Sequence, residues 1–220
     1  DPSTGGDISW KKKLLPFELI QEDIKYLKDI DNLKQYFASS KNNYQGIKVK
    51  YQITFRDVCT GLAIVCYCDE KSVYYTTKAI KEILYPFLKQ FKGLDLKKIT
   101  IQTDNGLENT NRLLKTRGKE PDKSTFTKFV EENFKKHKLN IPGHCTADSE
   151  VESFHWSIER DCLAWDDIID NESLIKYTSK YMNEYIHSVI KTRGYSKIDK
   201  IKETYDIDKI IYPMPQILSV

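Results

Sequence analysis

The chain has 220 residues, 35 of them Lys or Arg and 32 Asp or Glu, for a formal net charge of +3, and 40% of it is hydrophobic. That is enough apolar material for one large domain with a real core, which excludes a disordered tail. The longest unbroken apolar run, Leu62 to Cys68, is far too short to span a bilayer, and no signal-peptide pattern appears, so neither a membrane anchor nor secretion is expected. The first residue is Asp1 and not Met, so a fragment of a longer protein is expected, with residues 1–13 as a flexible leader. Alternation over Phe17 to Leu27 predicts a strand with Phe17, Leu19, Gln21, Asp23, Lys25 and Leu27 on one face. A polar loop follows, including Ser39 to Gly46. Lys48 to Arg56 and the continuous apolar run Leu62 to Cys68 read as two strands of a hairpin joined by a turn over Asp57 to Gly61. From Ser72 the period changes. Val73, Ala79, Ile80, Ile83, Leu84, Phe87, Leu88 and Phe91 recur at helical spacing, and Pro86 is expected to kink or divide that helix.

Lys97 to Gln102 predicts a short strand that runs into Thr103-Asp104-Asn105-Gly106. Asn109 to Lys123 is polar and basic. Ser124 to His137 predicts an amphipathic helix capped by Ser124. A brief strand over Leu139 to Ile141, then helices over Ser149 to Leu163 and Ser173 to Ile190, complete the order. This order describes an α/β domain around a mixed sheet.

Charge and cysteines narrow the class. Between Pro86 and Ile141 there are 13 basic and 7 acidic residues, so this middle carries +6 and the remainder −3. Such a distribution fits a phosphate-facing surface as well as a solvated lysine-rich one. Cys59, Cys66, Cys68, Cys145 and Cys162 form no CxxC pair, and read as small buried thiols in a reducing compartment.

Three acids stand out by placement. Asp23 lies mid-strand on a face that otherwise reads apolar, where an unpaired charge costs several kcal/mol. Asp104 sits at a strand end before Asn-Gly. Glu152 lies in the first turn of a helix whose inward stripe is Val151, Phe154, Ile158, Cys162 and Trp165. Strand ends and a helix start can bring the three together, and a divalent cation would then compensate their charge. Oxygen-only ligands select Mg²⁺ or Mn²⁺, and two such ions suit phosphoryl transfer. Two further acids compete. Asp57 falls in the hairpin turn, and Glu150 points about 200° round the helix from Glu152, toward solvent or the helix dipole.

QEDIKYL (Gln21 to Leu27), IQTDNGLEN (Ile101 to Asn109) and PGHCTADSEVESFHWSIERD (Pro142 to Asp161) together resemble the catalytic cores of retroviral-type integrases and of bacterial insertion-sequence transposases with an Asp-Asp-Glu triad. The resemblance spans roughly residues 14 to 190 and implies Asp23, Asp104 and Glu152 as catalytic and metal-holding residues. It further implies a ribonuclease-H-like fold, a mixed five-stranded sheet flanked by helices, with residues 14–165 as the core and 166–220 as a helical C-terminal extension. The implied activity is Mg²⁺-dependent cutting of DNA ends and their transfer to target DNA, with two ions and a homodimer or larger assembly. The implied compartment is the cytoplasm of a prokaryote or the nucleus of a eukaryote. A nuclease of the same fold and a domesticated DNA-binding protein without turnover are the alternatives.

Candidate DNA contacts are Lys115, Arg117, Lys119 and Lys123 beside the active-site loop, with Asn105 and Asn109 as hydrogen-bond donors. His155, one turn beyond Glu152, is a further candidate, either orienting a water or ligand or making a structural polar contact. Trp156 and Glu159 stand where the family commonly places basic residues. No module for reading element ends is evident before Asp23. Sequence-specific recognition is therefore expected in a preceding region, a partner or the C-terminal segment.

Overall fold

A computed structural model describes residues 13–37, 46–111, 122–140, 149–165, 167–190 and 194–219. The centre is strand β1 (Leu19–Tyr26), flanked on one side by the hairpin β2 (Tyr51–Asp57) and β3 (Ala63–Cys68), and on the other by β4 (Thr100–Thr103) and β5 (Lys136–Leu139). The hairpin strands pair antiparallel with β1 and with each other, whereas β4 and β5 run parallel to β1. Parallel neighbours require crossovers, and helices supply them. The short helix α1 (Asp31–Lys34) follows β1. The β3–β4 crossing holds α2 (Val73–Ala79) and α3 (Tyr85–Lys89), and the β4–β5 crossing holds α4 (Thr125–Asn133). After β5 come α5 (Ser149–Ile158), α6 (Asn171–His187), the two-residue pair β6 (Val189–Ile190) and β7 (Tyr195–Ser196), then α7 (Lys197–Tyr205) and β8 (Gln216–Ile217).

The sheet has six strands in the order β5-β4-β1-β2-β3-β8, one more than the five expected. The sixth is only two residues long and carries no periodicity a sequence could reveal. It pairs parallel with β3, and Leu218 N donates to Tyr67 O at 2.8 Å. Tyr212 and Tyr205 also bring the C-terminal segment back, donating to Ala63 O and Pro16 O. Among the described residues, no helix is long and apolar enough to cross a membrane.

The two faces of the sheet differ in chemistry, because side chains alternate along each strand. On one face Ile20, Phe55 and Ile64 meet Leu84 of the helical stretch after β3. That stretch stays helical through Pro86, because a π turn over Ile80–Leu84 widens the coil just before it. The wider turn accommodates a residue that has no N–H to give and whose ring crowds the preceding turn. On the other face Gln21, Asp23 and Lys25 of β1 lie beside Arg56, Thr54 and Gln52 of β2, and α5 covers them.

Ser124 caps α4 by accepting from Thr127 N. The helix stops at Asn133 and not at His137, and His137 is in β5. Phe134 leaves the helix in an extended conformation and buries its ring, which releases Lys136 to Leu139 to pair with β4. Asp57 buttresses the hairpin. Its Oδ1 accepts from Phe17 N and Cys59 N, and its Oδ2 from Thr60 N and Thr60 Oγ1. Cys59, Cys66, Cys68 and Cys162 are buried thiols, and Cys145 lies outside the described residues.

Candidate active site

The parallel register of β1 and β4 pairs Gln21 with Gln102. Two residues further along each chain come Asp23, still within β1, and Asp104, just past the end of β4. Asp104 ends its strand in a tight turn, with its Oδ1 accepting from Gly106 N at 2.8 Å. One helical turn follows, closed by bonds from Asn109 N and Thr110 N to Gly106 O. Neighbouring hydroxyls pin that turn. Thr76 donates to Glu108 O, and Ser124 and Thr127 donate to Asn109 O. The position of Asp104 is therefore fixed by side chains from α2 and α4 as well as by its own strand.

Glu152 reaches the same end of the sheet from α5. With Asp23, Lys25, His155, Trp156 and Glu159 it lines an open cleft of about 340 Å³. Four contacts set the rotation of that helix. Val151 N donates to Gln21 Oε1, Arg56 pairs with Glu150 at 3.2 Å, Lys25 pairs with Glu159 at 2.5 Å, and His155 bridges to β1 and β2. Glu150 is thus not the solvent-facing acid its helical angle suggests: its side chain is 15% exposed, because Arg56 rises from β2 beneath it. Glu159 does not repel phosphate unopposed, since Lys25 neutralises it.

His155 stands with Nδ1 3.5 Å from Asp23 Oδ2 and Nε2 2.9 Å from Thr54 Oγ1. Burial, helped by Lys25 and Arg56, pulls its pKa down to about 3, so the ring is neutral. One ring nitrogen thus shares a hydrogen bond with the Thr54 hydroxyl while the other faces the Asp23 carboxylate. Thr54 in turn accepts from Gln52 Nε2 at 3.0 Å. The result is a buried polar chain from Gln52 through Thr54 to His155, which faces Asp23.

Residues that sequence reasoning did not single out crowd the same corner. Glu22, on the opposite face of β1 from Asp23, is fully buried, and neither carboxylate oxygen has a hydrogen-bond partner of good geometry. Burial pushes its pKa well up, Asp23, Asp104 and Glu108 push the same way, and the Asn109 side chain opposes them. Glu108 folds back over Gly106 and pairs with Lys71 at 2.7 Å. Period-two alternation does put Glu22 opposite Asp23, but nothing in the sequence tells that the opposite face is roofed there.

The remaining candidates divide. Asn105 Nδ2 donates to Asn140 O and ties the turn to the end of β5. Asn109 is 1% exposed, with its carbonyl held by Ser124 and Thr127, so it supports the turn and is closed to phosphate. Lys123 is exposed and pairs with Glu131 at 2.5 Å. Lys115, Arg117 and Lys119 lie outside the described residues, as does the Pro142-Gly143 loop before Glu152.

Gly106 admits a direct test. A Cβ built there would lie 2.2 Å from Glu108 Oε1 and 2.5 Å from its Cδ. Gly106→Ala is expected to expel the Glu108 carboxylate from its buried pair with Lys71. The cost is about 1–3 kcal/mol, read as a fall of several degrees in Tm by thermal denaturation.

No protein-family model matches the sequence, and no curated protein sequence matches it. Solved structures do match. The catalytic core domain of BIV integrase superposes with a TM-score of 0.52 at 12% identity, covering 86% of this chain and 95% of that one. The fold is that of an integrase catalytic core. A chain from the simian T-cell lymphotropic virus intasome in complex with PP2A regulatory subunit B56 gamma gives a TM-score of 0.52 at 13% identity, covering 94% of this chain. This chain spans 60% of the length of that one. The carboxylates of Asp23 within β1, of Asp104 just past β4 and of Glu152 in the first turn of α5 offer oxygen donors alone, the chemistry that suits Mg²⁺ or Mn²⁺. Among the described residues, no three His, Cys, Asp or Glu side chains stand close enough together to hold an ion. Asp23 and Glu152 line the same cleft, and Asp104 follows β4, the strand that pairs with β1.

Proposed function

We propose that the chain is a DNA strand-transferase core that acts on phosphodiesters with Asp23, Asp104 and Glu152 as its catalytic carboxylates. The observation that supports this reading is that Asp23 and Glu152 line one cleft while Asp104 sits in the turn just past β4, the strand next to β1. Mg²⁺ or Mn²⁺, two ions in all, would be held by these three residues only once they draw closer together than they stand here, and would supply Lewis-acid activation of the attacking and leaving oxygens. The chain's own contribution is positioning. Thr54 holds His155 facing Asp23, Gly106 N orients Asp104, and the Arg56–Glu150 and Lys25–Glu159 pairs fix the angle at which Glu152 enters the cleft. Holding the reacting groups in line is the larger part of catalysis when the chemistry is phosphoryl transfer.

The substrates would be DNA ends and a target duplex, engaged by a homodimer or larger assembly, with residues 14–165 as the catalytic unit and 166–220 as its extension. A supercoiled-plasmid assay with Mg²⁺ or Mn²⁺ and a labelled DNA end tests the proposal. Joining of the labelled end is the expected product. Nicking without joining would make the protein a nuclease of the same fold. DNA binding with no metal-dependent product would make it a binding protein without turnover, and either outcome would overturn strand transfer.

A further inference from the structure

Lys71 lies in the connection between β3 and α2, just before Ser72, the N-cap of α2. Its ammonium is 2.7 Å from Glu108 Oε1, and the Glu108 side chain is only 6% exposed. Glu108 is held there from two sides. Its carboxylate folds against Gly106, the residue whose N–H anchors Asp104, and Thr76 fixes its backbone carbonyl. The pair therefore belongs to the same turn that places Asp104. Burial works against the charge on Lys71, but the Glu108 hydrogen bond and charge, joined by Asp104 and then Asp23, outweigh it and hold the ammonium above its ordinary range.

Asp23, Asp104 and Glu108 all act on the buried Glu22 on one side and on Lys71 on the other. Among the described residues, Lys25 pairs with Glu159 and Arg56 with Glu150. Clustered carboxylates require compensating positive charge, from a bound cation or from a basic side chain. We propose that Lys71 is a tethered counter-cation of this cluster, one that holds the carboxylates together in the ion-free protein and gives way when a divalent ion binds. The inference rests on the proposed role of Asp23 and Asp104 as ion-holding residues.

The physics sets the sign of each effect. An ammonium a few ångströms from a divalent ion repels it, and the acids that Lys71 neutralises attract the ion less strongly than they would alone. Lys71 is 38% exposed on its side chain, so water and salt weaken the repulsion without removing it. Removing the charge should tighten divalent binding and, with no ion present, loosen the corner through unrelieved carboxylate repulsion.

The experiment is isothermal titration of Mn²⁺ into the chelator-stripped full chain at low salt, comparing the wild type with Lys71→Met, Lys71→Gln and Lys71→Arg. Lys71→Gln can still donate to Glu108, and so it tests charge even if Lys71→Met fails to fold. The uncharged variants are expected to bind Mn²⁺ about tenfold more tightly, with Lys71→Arg near the wild type and the difference shrinking at high salt. Their ion-free Tm should fall and recover more on adding Mn²⁺ than that of the wild type. Unchanged or weaker binding in both uncharged variants would overturn the assignment. If the wild type binds Mn²⁺ in a way that Asp104→Asn abolishes, that failure concerns Lys71 alone. Absence of binding in the wild type and in both uncharged variants would remove the functional reading as well.

Discussion

Asp104→Asn is expected to abolish metal-dependent DNA cutting and joining while the protein stays as stable as the wild type or becomes slightly more stable. Asparagine has the shape of aspartate and keeps an oxygen for the bond from Gly106 N, so the turn that follows β4 loses nothing. What disappears is one negative charge from a corner that also holds Glu22, Asp23 and Glu108, which relieves repulsion. For chemistry the same change removes a carboxylate from the set proposed to hold the ions. A fall of about a thousandfold or more is expected, equivalent to about 4 kcal/mol of transition-state stabilisation.

Asp57→Asn should give the reverse signature, and that contrast identifies the site. Asp57 accepts four hydrogen bonds with its two buried oxygens, and an amide nitrogen in place of either oxygen would face donors. It should lose about 1–3 kcal/mol of stability, while the folded fraction turns over normally. The checks are plasmid conversion and thermal denaturation of both variants side by side. Full activity in Asp104→Asn would sink the proposed triad.

The contrast also shows where a sequence speaks and where it is silent. Strand β1 was legible because alternation is strict, but its faces were misjudged: Gln21, Asp23 and Lys25 lie beside Arg56, Thr54 and Gln52 on the polar face, and the core side is that of Ile20 and Ile24. Asp104 was legible because a turn after a short strand exposes whatever side chain begins it. The hairpin, the helical stretch after β3 and the N-cap at Ser124 are local patterns, and local patterns survive without tertiary information. The partners of Glu150 and Glu159 were not legible. Arg56 lies 94 positions before Glu150, and only the packing of α5 across β1 and β2 brings the two together. The end of α4 failed for a related reason: His137 continues a plausible helical pattern, but the free edge of β4 captures Lys136 to Leu139. Pairing with a neighbouring strand outweighs local propensity there. The corner formed by Glu22, Glu108 and Lys71 joins three segments, each ordinary by itself.

The acid limb of the stability curve carries the second large effect. His137 and His155 both have ring nitrogens engaged with threonine hydroxyls, His137 with Thr103 and Thr127, and His155 with Thr54. Burial lowers the pKa of His137 to about 4, with Glu131 opposing it in part, and burial with Lys25 and Arg56 lowers that of His155 to about 3. In the unfolded chain each imidazole takes up its proton near pH 6.5. Between that value and its own depressed pKa, each histidine therefore binds more protons in the unfolded state than in the folded one. Its contribution to stability is complete above pH 6.5 and is lost as the pH falls, at about 1.4 kcal/mol per unit for each ring.

Glu22 and Asp57 act with the opposite sign, because burial raises their pKa values and the folded state then holds the proton more tightly. The total curve mixes these slopes, so the histidine contribution is best read as a difference. Urea unfolding of the wild type and of His155→Asn at several pH values between 7.5 and 4.5 isolates it. The hydrogen bonds lost in the variant produce a constant offset, whereas the protonation linkage produces a gap that varies with pH. That gap should be widest above pH 6.5 and should narrow by about 1.4 kcal/mol per unit below it. A gap that stays constant across the range would mean that His155 takes up its proton as readily in the folded protein as in the unfolded chain. The neutral ring that faces Asp23 would then be lost well before the protein unfolds.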